Sequence, residues 1–311
     1  MTQTAREQIA ELKARRNAVI LAHNYQIDSV QSIADFTGDS LGLSRQATQV
    51  EADVIVFCGV KFMAETAAIL NPGKTVLLPE LQATCPMAAM ITPEQVRALK
   101  ARHPGAAVVC YVNSTAEVKA LSDVCCTSAN AVEVVNSIEP GRPVIFVPDR
   151  NLGHYVAQQT GRDIILTSGF CPTHERIRPE HVAETRRRHP GAEVMVHPEC
   201  LPAVVDMADV VASTSGMLRH ARKCGARTLI VGTEIGLLYG LRRESPDKEF
   251  IPLTSAATCP NMKLTTLGSV LLALEEMRHR ITVPDEVAEA ARGAVDRMLQ
   301  IGAPSPTRAN A

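Results

Sequence analysis

Apolar positions along the chain gather in short runs, each flanked by segments with helical spacing. The β-branched runs at 54–57, 144–147 and 228–231 have the length and composition of strands buried on both faces of a parallel sheet, and each is followed by a predicted helix. Shorter apolar runs at 18–22, 107–112 and 193–196 each follow a helical stretch: 4–16, then two stretches opened by Pro93-Glu94 and Pro179-Glu180. Proline suits the first turn of a helix because its missing N–H has no intrahelical partner there. A further strand is expected at 75–78, 163–167 and 249–253. Strands alternating with helices predict an α/β fold, with parallel sheets covered on both faces, and ligands in such sheets gather beyond the carboxyl ends of the strands.

The pattern repeats. Arg102-His103-Pro104-Gly105-Ala106 recurs 86 residues later as Arg188-His189-Pro190-Gly191-Ala192, in both cases between helix and strand, and Arg16-Asn17 fills the same place more tightly at the front. Cys85, Cys171 and Cys259 each precede a proline, at intervals of 86 and 88 residues. The intervals predict three copies of one αβα sandwich, 1–85, 86–171 and 172–259, in pseudo-threefold array, each delivering one thiolate to a shared point. Helices near 265–280 and 285–300, with no strand after them, are expected to pack back on the first unit and close the ring. The tail 302–311 is expected to be disordered.

Composition narrows the function classes. The 311 residues are 46% hydrophobic and 21% charged, as in a globular chain with a sizeable core. Net charge is −1, with 3% aromatic residues and no basic block, so no footprint for nucleic acid is visible. There is no signal-like apolar region and no apolar run of about 18 residues, which predicts a cytoplasmic protein without a membrane span. Nine cysteines, an odd number, read as metal ligands and buried small hydrophobes rather than a disulfide framework. Cys58, Cys110, Cys125, Cys126, Cys200 and Cys224 have no counterpart in all three units and read as core or incidental thiols.

Counting back from the three Cys-Pro pairs locates equivalent polar positions. His23, Tyr111 and His197 end strands 62, 60 and 62 residues earlier, and each is followed two residues on by Tyr25, Asn113 or Glu199. Ser40, Ser128 and Thr214 lie 45, 43 and 45 residues before the cysteines, in loops that precede helices. Taken singly, such hydroxyls are ordinary helix caps and such histidines ordinary structural residues. Their threefold recurrence favours one cavity, with anion sites at helix N-termini. Three thiolates fit zinc or a 4Fe-4S cluster with one open iron, and contributions from three separate units suit the larger cluster better. An open iron is a Lewis acid, and the absence of a Gly-rich dinucleotide loop turns the reading towards condensation and dehydration of small anions.

Ala22-His23-Asn24-Tyr25-Gln26, Gly38-Asp39-Ser40, Tyr111-Val112-Asn113-Ser114, His197-Pro198-Glu199-Cys200, Ser213-Thr214-Ser215-Gly216-Met217 and the three Cys-Pro pairs together resemble the quinolinate synthase family over essentially the whole chain. The resemblance implies three αβα domains around a central 4Fe-4S cluster held by Cys85, Cys171 and Cys259. It implies condensation of iminoaspartate with dihydroxyacetone phosphate to quinolinate, phosphate and two waters in de novo NAD biosynthesis, with transient channelling from L-aspartate oxidase. Carried onto matching positions, it makes His23, Ser40, Tyr111, Asn113, Ser128, His197 and Thr214 substrate-binding, Glu199 a base and Tyr25 an acid/base or gate. Lys223 either pairs with a carboxylate that orders the site or is a solvated surface cation.

One departure is visible: some members carry a close Cys-x-x-Cys-x-x-Cys group near the C-terminus, whereas Cys259 is the last cysteine here. Two other reactions share the one-cysteine-per-domain architecture, those of 4-hydroxy-3-methylbut-2-enyl diphosphate reductase and the diphthamide-forming radical enzyme, and both need electrons. A non-enzymatic iron or oxygen sensor is the alternative of a different class.

Overall fold

A computed structural model describes residues 3–301; the tail expected to be disordered lies outside them. The chain forms three successive sets of four strands and four helices. The first set is α1 (Ala5–Arg15), β1 (Ala18–His23), α2 (Asp28–Gln31), β2 (Phe36–Gly38), α3 (Ser40–Gln49), β3 (Val54–Cys58), α4 (Lys61–Leu70) and β4 (Thr75–Leu77). The second is α5 (Pro93–Arg102), β5 (Ala107–Tyr111), α6 (Ala116–Ala120), β6 (Val124–Cys126), α7 (Ala131–Asn136), β7 (Val144–Val147), α8 (Arg150–Thr160) and β8 (Ile164–Leu166). The third is α9 (Pro179–Arg188), β9 (Glu193–Val196), α10 (Pro202–Val205), β10 (Val210–Val211), α11 (Thr214–Lys223), β11 (Thr228–Gly232), α12 (Leu237–Glu244) and β12 (Glu249–Pro252).

Each set makes its own parallel sheet, ordered β2-β1-β3-β4, β6-β5-β7-β8 and β10-β9-β11-β12. The order is the same in all three. In each, the chain leaves the first strand towards one edge and returns to build the other, so a topological switch point lies beside β1, β5 and β9, where α/β sheets bind ligands.

Strand composition follows from burial on both faces. Val19 and Leu21 of β1 face a core shared with strands of the other sheets, while Ile20 and Ala22 face Ile9 of α1 and further apolar side chains on the outer side. The larger of these side chains, Leu21 and Ile20, each contribute about 1.5–3 kcal/mol by burial. The recurring His-Pro-Gly turns use glycine for its backbone freedom: Gly105 and Gly191 have φ of 81° and 85°, a left-handed conformation that costs other residues energy. Asn17 meets the same demand in the shorter first turn, with φ 46°.

The two C-terminal helices divide the work expected of them. α13 (Leu267–Glu276) packs on α1 and β3 of the first set, with Val270 and Leu274 buried there. α14 (Asp285–Gln300) reaches further than the first unit, running between α4 on one side and α6 and β6 of the second set on the other. Its last turn is tied to both neighbours: an Arg45 Nη atom donates to the Leu299 carbonyl at 2.9 Å, and Asn130 Nδ2 to the Met298 carbonyl at 3.1 Å. The buried small stripe of Ala291, Ala294 and Val295 lets it sit close on two surfaces at once. Among the described residues no helix is long and apolar enough to cross a membrane.

Candidate active site

One cavity, of about 200 Å³, opens where the three sheets meet. All twelve residues singled out by repeat position and resemblance line it: His23, Tyr25, Ser40, Cys85, Tyr111, Asn113, Ser128, Cys171, His197, Glu199, Thr214 and Cys259. Lys223 does not. It is exposed at the end of α11, as in the surface-cation reading of the two.

Each cysteine enters through the same local device. Short 3₁₀ turns follow the Cys-Pro pairs at Pro86–Ala89, His174–Arg176 and Asn261–Lys263. Proline gives up no N–H at the start of such a turn, and the next free amides point back at the sulfur. Met87 and Ala88 address Cys85, His174 addresses Cys171, and Asn261 and Met262 address Cys259. Even so, burial pushes the Cys85 thiol up to about 12 and raises Cys171 and Cys259 as well. Thiols that resist ionising alone become thiolates against a cation.

The spread of the thiols bears on which cation. Among the described residues, Cys171, His174 and Glu199 bring ligand atoms within 4.8 Å of one another, but the three cysteines do not form such a group. Tetrahedral zinc with three thiolates needs sulfurs about 3.8 Å apart, given Zn–S bonds of about 2.3 Å. The donor set of three soft sulfurs, wider than one ion spans and each met by amide N–H groups, fits an iron–sulfur cluster. Glu193, His220 and Cys224 also cluster within 4.8 Å, away from the cavity. There the Lys248 ammonium, 3.5 Å from Cys224 Sγ, already supplies a cation.

The strand-end histidines are held as neutral donors. The Tyr25 amide donates to His23 Nδ1 at 3.1 Å and the Glu199 amide to His197 Nδ1 at 3.3 Å, so in both rings Nε2 carries the proton. Burial pulls His23 down to about 4 and His197 down to about 3, from an ordinary value of 6.5. His197 Nε2 donates to Ser128 Oγ at 3.0 Å, joining the third repeat to the second.

These shifts predict acid lability. Below about pH 6.5 the unfolded chain takes up protons that the folded chain refuses until about pH 4, so stability falls as pH is lowered through that window. Urea unfolding of the metal-free chain is expected to show this slope, flattened in a His23→Gln/His197→Gln variant. An unchanged slope in that variant would assign the acid lability to other groups.

The loops carrying the three hydroxyls each lead into a helix. The amide of Gly42 in α3 is capped by Asp39 Oδ1 at 2.8 Å, and that of Gly216 in α11 by Ser213 Oγ at 3.2 Å. Ser40 and Thr214 are the first helical residues, one place inside the caps. One amide of each helix start is thus satisfied, and the residues Ser40 and Thr214 line the cavity beside the others. Ser128 stands two residues ahead of Asn130, the N-cap position of the six-residue α7, whose side chain makes no capping bond to the helix. Ser213 Oγ donates to Asp39 Oδ2 at 3.2 Å, and Asn24 Nδ2 to Thr214 Oγ1 at 2.9 Å, locking the first and third loops together.

His174 and Thr233 join the two proton-transfer candidates, a link that repeat counting misses. His174 Nδ1 lies 2.8 Å from Glu199 Oε2 and 3.1 Å from Cys171 Sγ, and its Nε2 lies 2.9 Å from Thr233 Oγ1. Thr233 Oγ1 is in turn 2.6 Å from the Tyr25 hydroxyl. Burial drives Glu199 upward, but the neighbouring His174 and His197 outweigh it and hold the carboxyl low. Burial, reinforced by the Glu199 charge, holds the Tyr25 hydroxyl well above its ordinary range. One end of the chain is therefore held ionised and the other held protonated. Glu199 Oε1 and Asn113 Oδ1 are buried in the cavity lining without hydrogen-bond partners; unmet acceptors of this kind are costly unless a ligand serves them.

Comparison with known proteins bears on the same residues. The family model described as NadA, quinolinate synthetase A protein, matches residues 7–300, a span that includes every lining residue named above. The chain is 57% identical over 300 residues to a quinolinate synthase of Methanoregula boonei, covering 96% of this chain and 99% of the relative. It is 57% identical over 298 residues to one from Geobacter metallireducens (96% and 98% covered), and 56% over 293 to one from Dehalococcoides mccartyi (94% and 97%). With all three cysteine turns inside a match that runs nearly end to end, the chain belongs to the NadA quinolinate synthase family.

Proposed function

We propose that this protein is a cytoplasmic quinolinate synthase that condenses iminoaspartate with dihydroxyacetone phosphate, releasing phosphate and two waters, in de novo NAD biosynthesis. The observation that carries the reading is the convergence of one Cys-Pro thiol from each repeat on a cavity whose lining includes histidine, hydroxyl and amide side chains, in a chain of this family. Cys85, Cys171 and Cys259 are the residues that hold a 4Fe-4S cluster. When bound, the cluster supplies a Lewis-acidic iron with an open position.

The residues of the chain do the rest. His23, Ser40, Tyr111, Asn113, Ser128, His197 and Thr214 bind the carboxylates of one substrate and the phosphate of the other. Donors without charge hold anions by fixed dipoles in a site shielded from water, where such dipoles act strongly. Glu199 takes protons at Oε1, the oxygen without a partner, while His174 Nδ1–H steadies Oε2. Tyr25 gives a proton from its hydroxyl, and Thr233 and His174 tie that hydroxyl to Glu199 through hydrogen bonds. L-aspartate oxidase, as the source of iminoaspartate, is the transient partner of this reading.

Anaerobically purified protein given iminoaspartate and dihydroxyacetone phosphate is expected to form quinolinate and phosphate in equal amounts, with no added reductant. The reading fails if no quinolinate appears while the protein, supplied with electrons, turns over a substrate of the diphosphate reductase or of the diphthamide enzyme.

A further inference from the structure

The third repeat meets the first at a partly buried ion pair that no proton-transfer step uses. Glu234, two residues past β11, is wholly shielded from solvent. Its Oε1 accepts the backbone N–H of Cys259 at 3.0 Å, and its Oε2 accepts that of Gly236 at 2.7 Å. The Lys263 ammonium lies 2.9 Å from Oε1 and 3.0 Å from Oε2. Lys263 also donates to the main-chain carbonyl of Tyr25 at 2.6 Å. One carboxylate and one ammonium thus connect the backbone of the third cysteine to the backbone of the tyrosine.

The surroundings are fitted to this pair. A Cβ on Gly236 would lie 2.7 Å from Lys263 Nζ, 2.8 Å from Glu234 Oε2 and 2.8 Å from the Tyr25 carbonyl oxygen, so glycine stands where the strap leaves no room. Behind it, Gln31 Nε2 donates to the carbonyls of Asn24 (3.1 Å), Gln26 (2.8 Å) and Gly236 (2.9 Å). The loop carrying Tyr25 is thereby stitched to the loop that follows Glu234. Thr233, adjacent to Glu234 in sequence, holds the hydroxyl end of the same tyrosine. Desolvation cancels much of the attraction in a buried ion pair, so stability alone is a weak reason for this one; its contacts give a better reason.

We propose that Glu234 and Lys263 are positioning residues that set the Cys259 thiolate and the Tyr25 hydroxyl at a fixed spacing across the junction of the third and first repeats. The proposal rests on the quinolinate synthase reading for what those two ends do. Glu234 borders the cavity with both carboxylate oxygens already engaged, so the pair acts through the two backbones it joins. Its two members carry opposite charges beside the cluster-binding cysteine, so removing each leaves a distinct electrostatic mark.

The test uses anaerobically purified, cluster-bearing protein with three variants. Lys263→Met removes the cation, Glu234→Gln removes the anion, and Gly236→Ala leaves both charges in place and wedges them apart. Each is expected to retain iron and sulfide and to lower kcat by about 10²-fold, with KM within about threefold, as for a small misplacement of reacting groups. The cluster's reduction potential, read by electron paramagnetic resonance during redox titration, is expected to fall in Lys263→Met and rise in Glu234→Gln. Loss of a nearby cation disfavours an added electron and loss of an anion favours it. Gly236→Ala keeps the test open if either charge variant does not fold. Undiminished kcat in the variants, or potential shifts of the same sign in the two charge variants, overturns the proposal while the parent enzyme still makes quinolinate. A parent protein with neither iron nor quinolinate activity overturns the underlying reading instead.

Discussion

Serine at Cys85, Cys171 or Cys259, one at a time, abolishes the iron and sulfide of anaerobically purified protein and with them all turnover, whereas serine at Cys110 or Cys224 abolishes neither. The parent chain is expected to carry about four iron and four sulfide, with broad visible absorbance lost in air. The asymmetry follows from placement. Each of the first three thiols sits at the head of a 3₁₀ turn whose amides face its sulfur, and each comes from a different sheet. None can stand in for another without moving a whole repeat. Serine offers a hard, poorly ionised oxygen in place of a soft thiolate. Cys110, by contrast, is buried in β5 with its sulfur directed at the Tyr111 carbonyl, 3.4 Å away, an acceptor that a serine hydroxyl keeps. Cys224 caps the far end of α11, half-buried and outside the cavity. One tightly bound zinc and no sulfide in the parent chain would refute the cluster, and retention of four iron in Cys85→Ser would refute the ligand assignment.

What was legible in the sequence was whatever recurs three times. The Cys-Pro pairs mark the repeat because proline before a short turn frees amides for the sulfur, and the His-Pro-Gly turns mark it because the backbone there needs a left-handed residue. Counting back from the cysteines then finds His23, Tyr111 and His197, which end the equivalent strands β1, β5 and β9 or directly follow them. Residues that break the symmetry stay hidden from such counting. His174 is three residues past Cys171, at a place where the other turns carry Ala88 and Met262, although a Cys-x-x-His spacing was there to be read. Glu234 and Lys263 look like any glutamate near a strand end and any lysine near a turn; only the fold reveals that they meet. The adjacent pairs Asp39-Ser40 and Ser213-Thr214 each offer two capping side chains, and sequence alone does not say which one caps and which faces the cavity. Lys223, open in the sequence between a site residue and a surface cation, lies on the solvent side of α11. The reach of α14 onto the second sheet was equally unreadable, since a small apolar stripe states that a helix is buried without naming its neighbours.

Glu199→Gln is expected to keep the cluster and lose turnover, with kcat lower by about 10²–10⁴-fold, the usual range for removing a general base. The substitution is close to isosteric at a site where shape is well held. The amide oxygen can face His174 Nδ1 and accept the bond now made by Oε2, and the amide nitrogen then replaces Oε1, which has no partner in the protein. What disappears is the negative charge that His174 and His197 stabilise. Because those neighbours hold the carboxyl low, Glu199 is ionised throughout the neutral range. The acid limb of the parent's pH–rate profile should therefore lie at the pKa of another group, while the variant loses rate at every pH. Tyr25→Phe gives the complementary loss: its ring still fills the pocket, but the hydroxyl that meets Thr233 Oγ1 at 2.6 Å is gone. If base and acid are linked through His174 and Thr233, the double variant is scarcely slower than the worse single one, because breaking either end of one proton path already disables it. Rate losses that multiply would show two independent proton transfers. Loss of iron and sulfide in both single variants would make the role of these residues structural.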